Sequence, residues 1–204
     1  MSELTREKFL SREEVKIIKD CLKSQMLLAK SKGNIRGVKR YYIIELMLNS
    51  GLRVSETCTL RFENIFLNTR NPYIQVINGK GGKNRIVYVS SEVKKLVEEY
   101  KEWKILIDEP VANDAYVFTN EQRHPYAPRS VQIIMRDLKT ALCIHSKCVP
   151  HSLRHSYATY LYENTKDLRL VQKQLGHSKI ETTTIYSDVT PESASRQVEG
   201  LWRE

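Results

Sequence analysis

YIQVINGKGGKNRIVYV, residues 73–89, is the stretch that decides the fold. Tyr73-Ile-Gln-Val-Ile-Asn78 and Arg85-Ile-Val-Tyr-Val89 are rich in β-branched and aromatic residues. They flank Gly79-Lys-Gly-Gly82, so the pattern predicts a β-hairpin. Outward from it, apolar residues recur at helical spacing. Ser11 and Glu14 form a capping-box pattern, with Leu10 and Val15 as its hydrophobic staple. Val15, Ile18, Leu22 and Met26 continue the stripe. Lys30, Lys32, Arg36, Lys39 and Arg40 follow with no acidic residue among them, broken by Gly33 and Gly37. This stretch reads as a basic loop entering a second helix over 38–49. Gly51 ends that helix, and 54–60 reads as a short one.

Downstream of the hairpin, Ser90 or Ser91 caps a helix carrying Val93, Leu96, Val97 and Tyr100. Residues 110–128 read mostly as loop, with 116–118 a candidate extra strand. Val131, Ile134, Met135, Leu138 and Leu142 mark a long amphipathic helix. The last third is helical in short pieces. Leu153, Tyr157, Tyr160 and Leu161 form one stripe, and Leu168, Val171 and Leu175 another, closed by Gly176 at a helix C′ position. A further helix is expected over 182–189, and Pro191 opens the last. No repeat or linker divides the chain. The expected fold is mainly α with a small β-hairpin or sheet (α+β), in a single domain over 1–204.

Composition narrows the function classes. The 204 residues carry 33 Lys or Arg against 24 Asp or Glu, a net charge of +9, which points to an anionic partner, nucleic acid first. The longest mostly apolar run, 41–48, contains Glu45 and falls far below the roughly 20 residues that span a bilayer. Residues 2–8 alternate acid and base, unlike a secretory signal, and four Cys make no disulfide framework. A cytoplasmic protein with no membrane partner is expected.

Six polar residues have little structural reason for their positions: Arg53, Lys80, His151, Arg154, His177 and Tyr186. Taken singly, each has an ordinary reading. Arg53 with Glu56 is a solvated i, i+3 pair or an anion-binding Arg steadied by a carboxylate. Lys80 and Lys83 decorate a turn or approach a phosphate through its glycines; Asn84 after Lys83 breaks a nucleotide-binding P-loop pattern. His151 and Arg154 lie one helical turn apart. Cys143, His145, Cys148 and His151 crowd four candidate ligands into nine residues, which matches no usual zinc spacing, so no metal is expected.

Together, Gly51-Leu-Arg-Val-Ser-Glu56, residues 78–85, His151-Ser-Leu-Arg-His-Ser-Tyr-Ala-Thr159 and residues 174–186 resemble the catalytic domain of the tyrosine recombinases, the phage integrase family. Each motif is weak alone, but four in series over about residues 9–189 are specific. The resemblance implies that fold, and a DNA-cleaving and rejoining enzyme acting on double-stranded DNA with no cofactor. By position, Arg53 and Arg154 would clamp the phosphate and Tyr186 would be the nucleophile. His151 would be the base, Lys80 the acid for the leaving 5′ oxygen, and His177 a phosphate hydrogen-bond donor. Glu56 would support Arg53. Two guanidiniums suit a phosphodiester whose non-bridging oxygens gain charge during attack. Lys30, Lys32, Arg36, Lys39, Arg40, Lys83 and Arg85 are the expected DNA-backbone contacts. The family also implies a homotetramer on DNA that exchanges C-terminal helices, for which Val198, Leu201 and Trp202 offer an apolar face. Relatives usually carry an N-terminal core-binding domain, which the sequence is expected to lack. The alternatives are a catalytic fragment that needs the missing clamp, or a non-catalytic DNA-binding accessory protein.

Overall fold

Ser11 opens the first helix, α1 (Arg12–Ser31), through a reciprocal capping box. The Glu14 N–H donates to Ser11 Oγ (3.1 Å) and the Ser11 N–H to Glu14 Oε2 (2.8 Å). The computed structural model describes residues 9–77, 84–176, 191–199 and 201–202. Val15, Ile18, Leu22, Met26 and Ala29 form the buried stripe of α1, which lies along α2 (Ile35–Ser50). Apolar side chains cover almost every side of α2, including Val38, Tyr42, Ile43, Ile44, Leu46, Met47 and Leu48. An all-round apolar helix belongs at the centre of a core, and α1, α4 (Ser91–Leu106) and α6 (Pro150–Thr165) surround it.

The expected basic loop over 30–40 shrinks to a three-residue turn over 32–34, between the end of α1 and the first turn and a half of α2. Asn34 caps α2 by accepting the Gly37 N–H at 3.0 Å. Gly37 is no breaker here: a Cβ on it would stand 2.6 Å from Ala29 Cβ, so its smallness lets the two helices close up. Lys39 consequently points inward, where Glu109 and the Thr119 carbonyl hold its ammonium. Beside it, buried Lys104 donates to the carbonyls of Tyr116 and Val117 (3.1 Å each). Burial pulls the Lys104 pKa down to about 8, although Glu109 works against the shift.

After α3 (Val54–Cys58) and a 3-10 turn, β1 (Ile65–Phe66), β2 (Tyr73–Val76) and β3 (Arg85–Tyr88) form an antiparallel sheet in that order. The hairpin is the expected one; β1 adds a two-residue edge too short to show a period. Residues 116–118 contribute an isolated bridge, Arg61 to Tyr116, in place of a strand. Register sets Ile74 against Val87 and Val76 against Arg85. One face of the hairpin therefore carries Ile74, Val76, Val87 and Arg85, while Ile86 is 39% exposed on the other.

α5 (Pro128–Ala141) buries Val131, Ile134, Met135 and Leu138, as its period predicts. α7 (Leu168–Leu175) follows α6, and Gly176 closes it in the left-handed conformation (φ 66°). The expected helix over 182–189 lies outside the described residues. α8 (Pro191–Val198) packs back on its own chain against β3 and α6, with Val198 and Leu201 buried and the Trp202 ring 5.3 Å from that of Tyr160.

Gly51 places the start of α3. It ends α2 with φ 64°, and a Cβ there would lie 2.4 Å from Tyr157 Cδ1 on α6. Gly33 has a similar φ of 62° but nothing within 4 Å. An Ala at Gly33 should meet only left-handed strain, roughly 1–2 kcal/mol; at Gly51, overpacking adds about 1–3 kcal/mol. With about 2–4 °C of Tm per kcal/mol at this size, Gly51→Ala should depress Tm about twice as far as Gly33→Ala in thermal melts. Equal depressions would mean that the Tyr157 ring yields without cost.

Candidate active site

The left-handed turn at Gly51 leaves Arg53 as the N-cap of α3, with Glu56 one turn into the helix. Glu56 closes the cap: its Oε2 accepts the Arg53 N–H at 2.8 Å, and its Oε1 accepts Arg53 Nη1 at 2.7 Å. The other edge of the carboxylate belongs to Arg85. Its Nη1 and Nη2 reach the two oxygens at 2.8 and 2.7 Å, a bidentate pair. Arg154 Nη1 stands 4.0 Å from Glu56 Oε2. One carboxylate, 8% exposed, thus gathers three guanidiniums. Burial penalises the charge of Glu56, yet hydrogen bonds from Arg85 and Arg53 overcome it and pull its pKa down to about 2.

Arg154 comes from the first turn and a half of α6 and is buried, 3% exposed. Nη1 donates to the Gly51 carbonyl (2.7 Å) and Nη2 to the Leu175 carbonyl (2.6 Å). Burial and the neighbouring Arg53 and Arg85 lower its pKa to about 10, so it keeps its charge at neutral pH. The Arg53 side chain is the more accessible, 22% exposed, beside a cleft of about 670 Å³ that Ser55, Thr59, Asn64 and Gln75 also line. His151 lies on the first turn of α6, with the His155 ring edge-on at 4.4 Å. Its pKa is lowered by partial burial and then by Arg154, Arg53 and Lys147, which favours the neutral imidazole that can accept a proton.

Of the expected site residues, the structure brings Arg53, Glu56, His151 and Arg154 together. Lys80, Lys83, His177 and Tyr186 lie outside the described residues. Arg85 needs correction: register turns it to the buried face, and with 9% side-chain exposure and its donors on Glu56 and the Gln174 carbonyl, it is no surface DNA contact. Lys39 is likewise buried, its ammonium held by Glu109 and the Thr119 carbonyl, so it is no surface contact either. Lys30 donates to Tyr42 OH, Arg36 pairs with Glu121 and Arg40 with Asp137. Gln174 escaped sequence reasoning. Its amide accepts from the Tyr88 N–H (2.9 Å) and donates to the Tyr88 carbonyl (3.0 Å), which straps α7 to β3. Its signal was a lone amide one turn after Leu170, inside the apolar stripe of α7. Among the described residues, no group of three or more His, Cys, Asp or Glu is arranged to hold a metal ion.

The sequence model of the phage integrase family matches residues 8–193. The chain belongs to the phage integrase family. Tyrosine recombinase XerC of Pediococcus pentosaceus is 35% identical over 152 residues, covering 74% of this chain and 50% of that protein. Tyrosine recombinase XerA of Pyrococcus horikoshii is 32% identical over 160 residues, 77% of this chain and 53% of that one. The chain spans about half the length of the curated integrase-family relatives it matches. A crystal structure of XerA recombinase superposes with a TM-score of 0.67 at 29% identity, over 84% of this chain and 56% of that chain. The XerH recombinase bound to its difH substrate shares the fold, with a TM-score of 0.66 at 24% identity over 94% of this chain and 49% of that chain. The mainly helical fold with a small antiparallel sheet is that of integrase-family catalytic domains.

Glu56 yields a pH prediction. Its folded pKa is depressed from the ordinary value of 4.5 to about 2. The stability it contributes is therefore present above pH ~4.5 and is lost as pH falls through about 2, on the order of 3 kcal/mol in all. In urea melts, the stability gap between wild type and Glu56→Gln should close across that window. A gap independent of pH would place the carboxylate outside the arginine cluster.

Proposed function

We propose that the chain is the catalytic domain of a site-specific tyrosine recombinase, which cuts and rejoins double-stranded DNA through a 3′-phosphotyrosyl intermediate. The observation that carries this reading is the convergence of Arg53 and Arg154 on one buried carboxylate, close enough to His151 to help lower its pKa. The family membership and the recombinase names of the relatives support it.

In this reading Tyr186 Oη attacks the scissile phosphorus as its proton passes to His151. Free tyrosine ionises near 10, so an adjacent base is needed at neutral pH. Arg53 and Arg154 stabilise the charge that grows on the non-bridging oxygens, and His177 donates a further hydrogen bond. The P–O5′ bond breaks as Lys80 protonates the leaving oxygen. The bond energy kept in the phosphotyrosyl link allows the free 5′ hydroxyl to reverse the step without ATP. Lys32, Arg36 and Arg40 are the proposed backbone contacts, since the exposed pairs of Arg36 with Glu121 and Arg40 with Asp137 can open to phosphates at little loss. Assembly into a homotetramer would hand α8 to a neighbouring copy.

A nicked substrate whose 5′ fragment diffuses away should trap the protein on a DNA 3′ end, with or without EDTA. Tyr186→Phe should abolish the adduct and spare binding, and Arg53→Ala should slow it about 10²–10³-fold. An adduct that survives Tyr186→Phe would assign the nucleophile elsewhere. Tight binding with no wild-type adduct, even with a core-binding domain of a relative supplied in trans, would favour an accessory binder. The adduct rate should fall only once pH drops below the ordinary histidine value of 6.5, because burial and the neighbouring cations lower the His151 pKa, and His151→Gln should lose that limb. An unchanged acid limb would exclude His151 as the base.

A further inference from the structure

The two imidazoles of α6, His151 and His155, stand off its buried stripe of Leu153, Tyr157, Tyr160 and Leu161. Four residues apart, they share one face of the helix. His151 is exposed and His155 half-buried, so the inner ring backs the outer one. Their centroids lie 4.4 Å apart with the planes at 90°, an edge-to-face contact. The charged groups that act on His151 are Arg154 on α6, Arg53 on α3 and Lys147 in the segment entering α6. All three are cations, and the N-terminal end of the helix adds partial positive charge. A general base is ordinarily oriented by a third group, often a carboxylate. Among the described residues no hydrogen bond or ion pair joins His151 to a carboxylate, and the ring in contact with it is His155.

We infer that His155 is a positioning residue for His151, whose ring it backs from one helical turn further in and so holds in the plane that a proton acceptor needs. This rests on the recombinase reading above, in which His151 is the base. The χ2 torsion of a histidine is soft and broad. On an exposed first turn the imidazole would sweep a wide arc, and a second ring at 4.4 Å closes one side of that arc. The same contact shields part of His151 from water, and burial is the leading cause of its lowered pKa. The orientation of the base and its neutrality then share one origin, the neighbouring ring. Misplacing a catalytic group by about 1 Å can cost on the order of 100-fold in rate.

His155→Ala and His155→Phe separate the ring from its nitrogens. On the nicked substrate at about pH 8, where His151 is neutral, His155→Ala should slow adduct formation at least about 10-fold, with DNA affinity within about threefold of wild type. Its acid limb should also move up toward the ordinary value of 6.5, as water reaches the base. His155→Phe keeps a flat ring in contact, so it should recover the rate to within about threefold and leave the limb in place. In the DNA-free protein, the His151 Cε1 proton followed by NMR through a pH titration should show the same order, its midpoint raised by Ala and unmoved by Phe. That titration needs no turnover, so it decides the proposal even for a variant that is inactive for another reason. Equal slowing and equal midpoint shifts in both variants would overturn the ring contact in favour of a His155 nitrogen. An unmoved midpoint and an unchanged rate in His155→Ala would overturn the proposal outright, and loss of affinity parallel to the loss of rate would make His155 a DNA contact instead. A wild type that forms no adduct, while His155→Ala raises the midpoint as expected, would overturn the recombinase reading and leave the pairing of the two rings standing.

Discussion

Glu56 holds a full negative charge with only 8% of its side chain exposed, and three guanidiniums make that possible. A buried carboxylate without partners would be penalised by several kcal/mol and would take up a proton. Here the Arg85 fork and the Arg53 backbone and side chain overcome that penalty and drive the pKa down to about 2 instead. The dependence is mutual. Three cations packed together repel, and the one carboxylate among them is what lets them share the space. The cluster keeps an excess of positive charge, three guanidiniums around one carboxylate.

The same cluster holds separate parts of the chain in place. Arg53 and Glu56 come from α3, Arg85 from the hairpin and Arg154 from α6. Arg154 ties the Gly51 turn to the end of α7 through two carbonyls, and Gln174 straps α7 to β3. Four elements distant in sequence meet at one ion cluster, so fold and chemistry are not separable there. Losing Arg85 would strip a buried carboxylate of its bidentate partner and leave the Gln174 carbonyl without that donor, a far larger loss than an exposed salt bridge. The glycines at 51 and 176 belong to this cluster too, since each admits a neighbouring side chain that a Cβ would displace.

Periodicity and caps made most of the fold legible. Ser11 with Glu14, the stripe of α5, the hairpin and Gly176 all sit where their sequence signals place them. Arg53, Glu56, His151 and Arg154, singled out from weak motifs in a specific order, do lie close together. What misled was local reading of residues whose environment is set by distant parts of the chain. Lys39 belongs to a basic run, yet Glu109 and Thr119, seventy and eighty positions on, draw it inward. Arg85 precedes an isoleucine that alternation would bury, yet the register with Val76 buries the arginine. Gly37 reads as a breaker until Ala29 is seen beside it. β1 is two residues long, and no period can show in two residues.

The central claim is that Glu56 and Arg85 are energetically coupled as the anchor of the site, which a double-mutant cycle in equilibrium unfolding measures most directly. Glu56→Gln, Arg85→Met and the double variant would be melted in urea at pH 7. A buried, bidentate pair predicts a coupling energy of at least about 2 kcal/mol, with the double variant more stable than the sum of the single losses implies. Losses that add to within about 0.5 kcal/mol would contradict the account, because the two groups would then be neighbours without being partners.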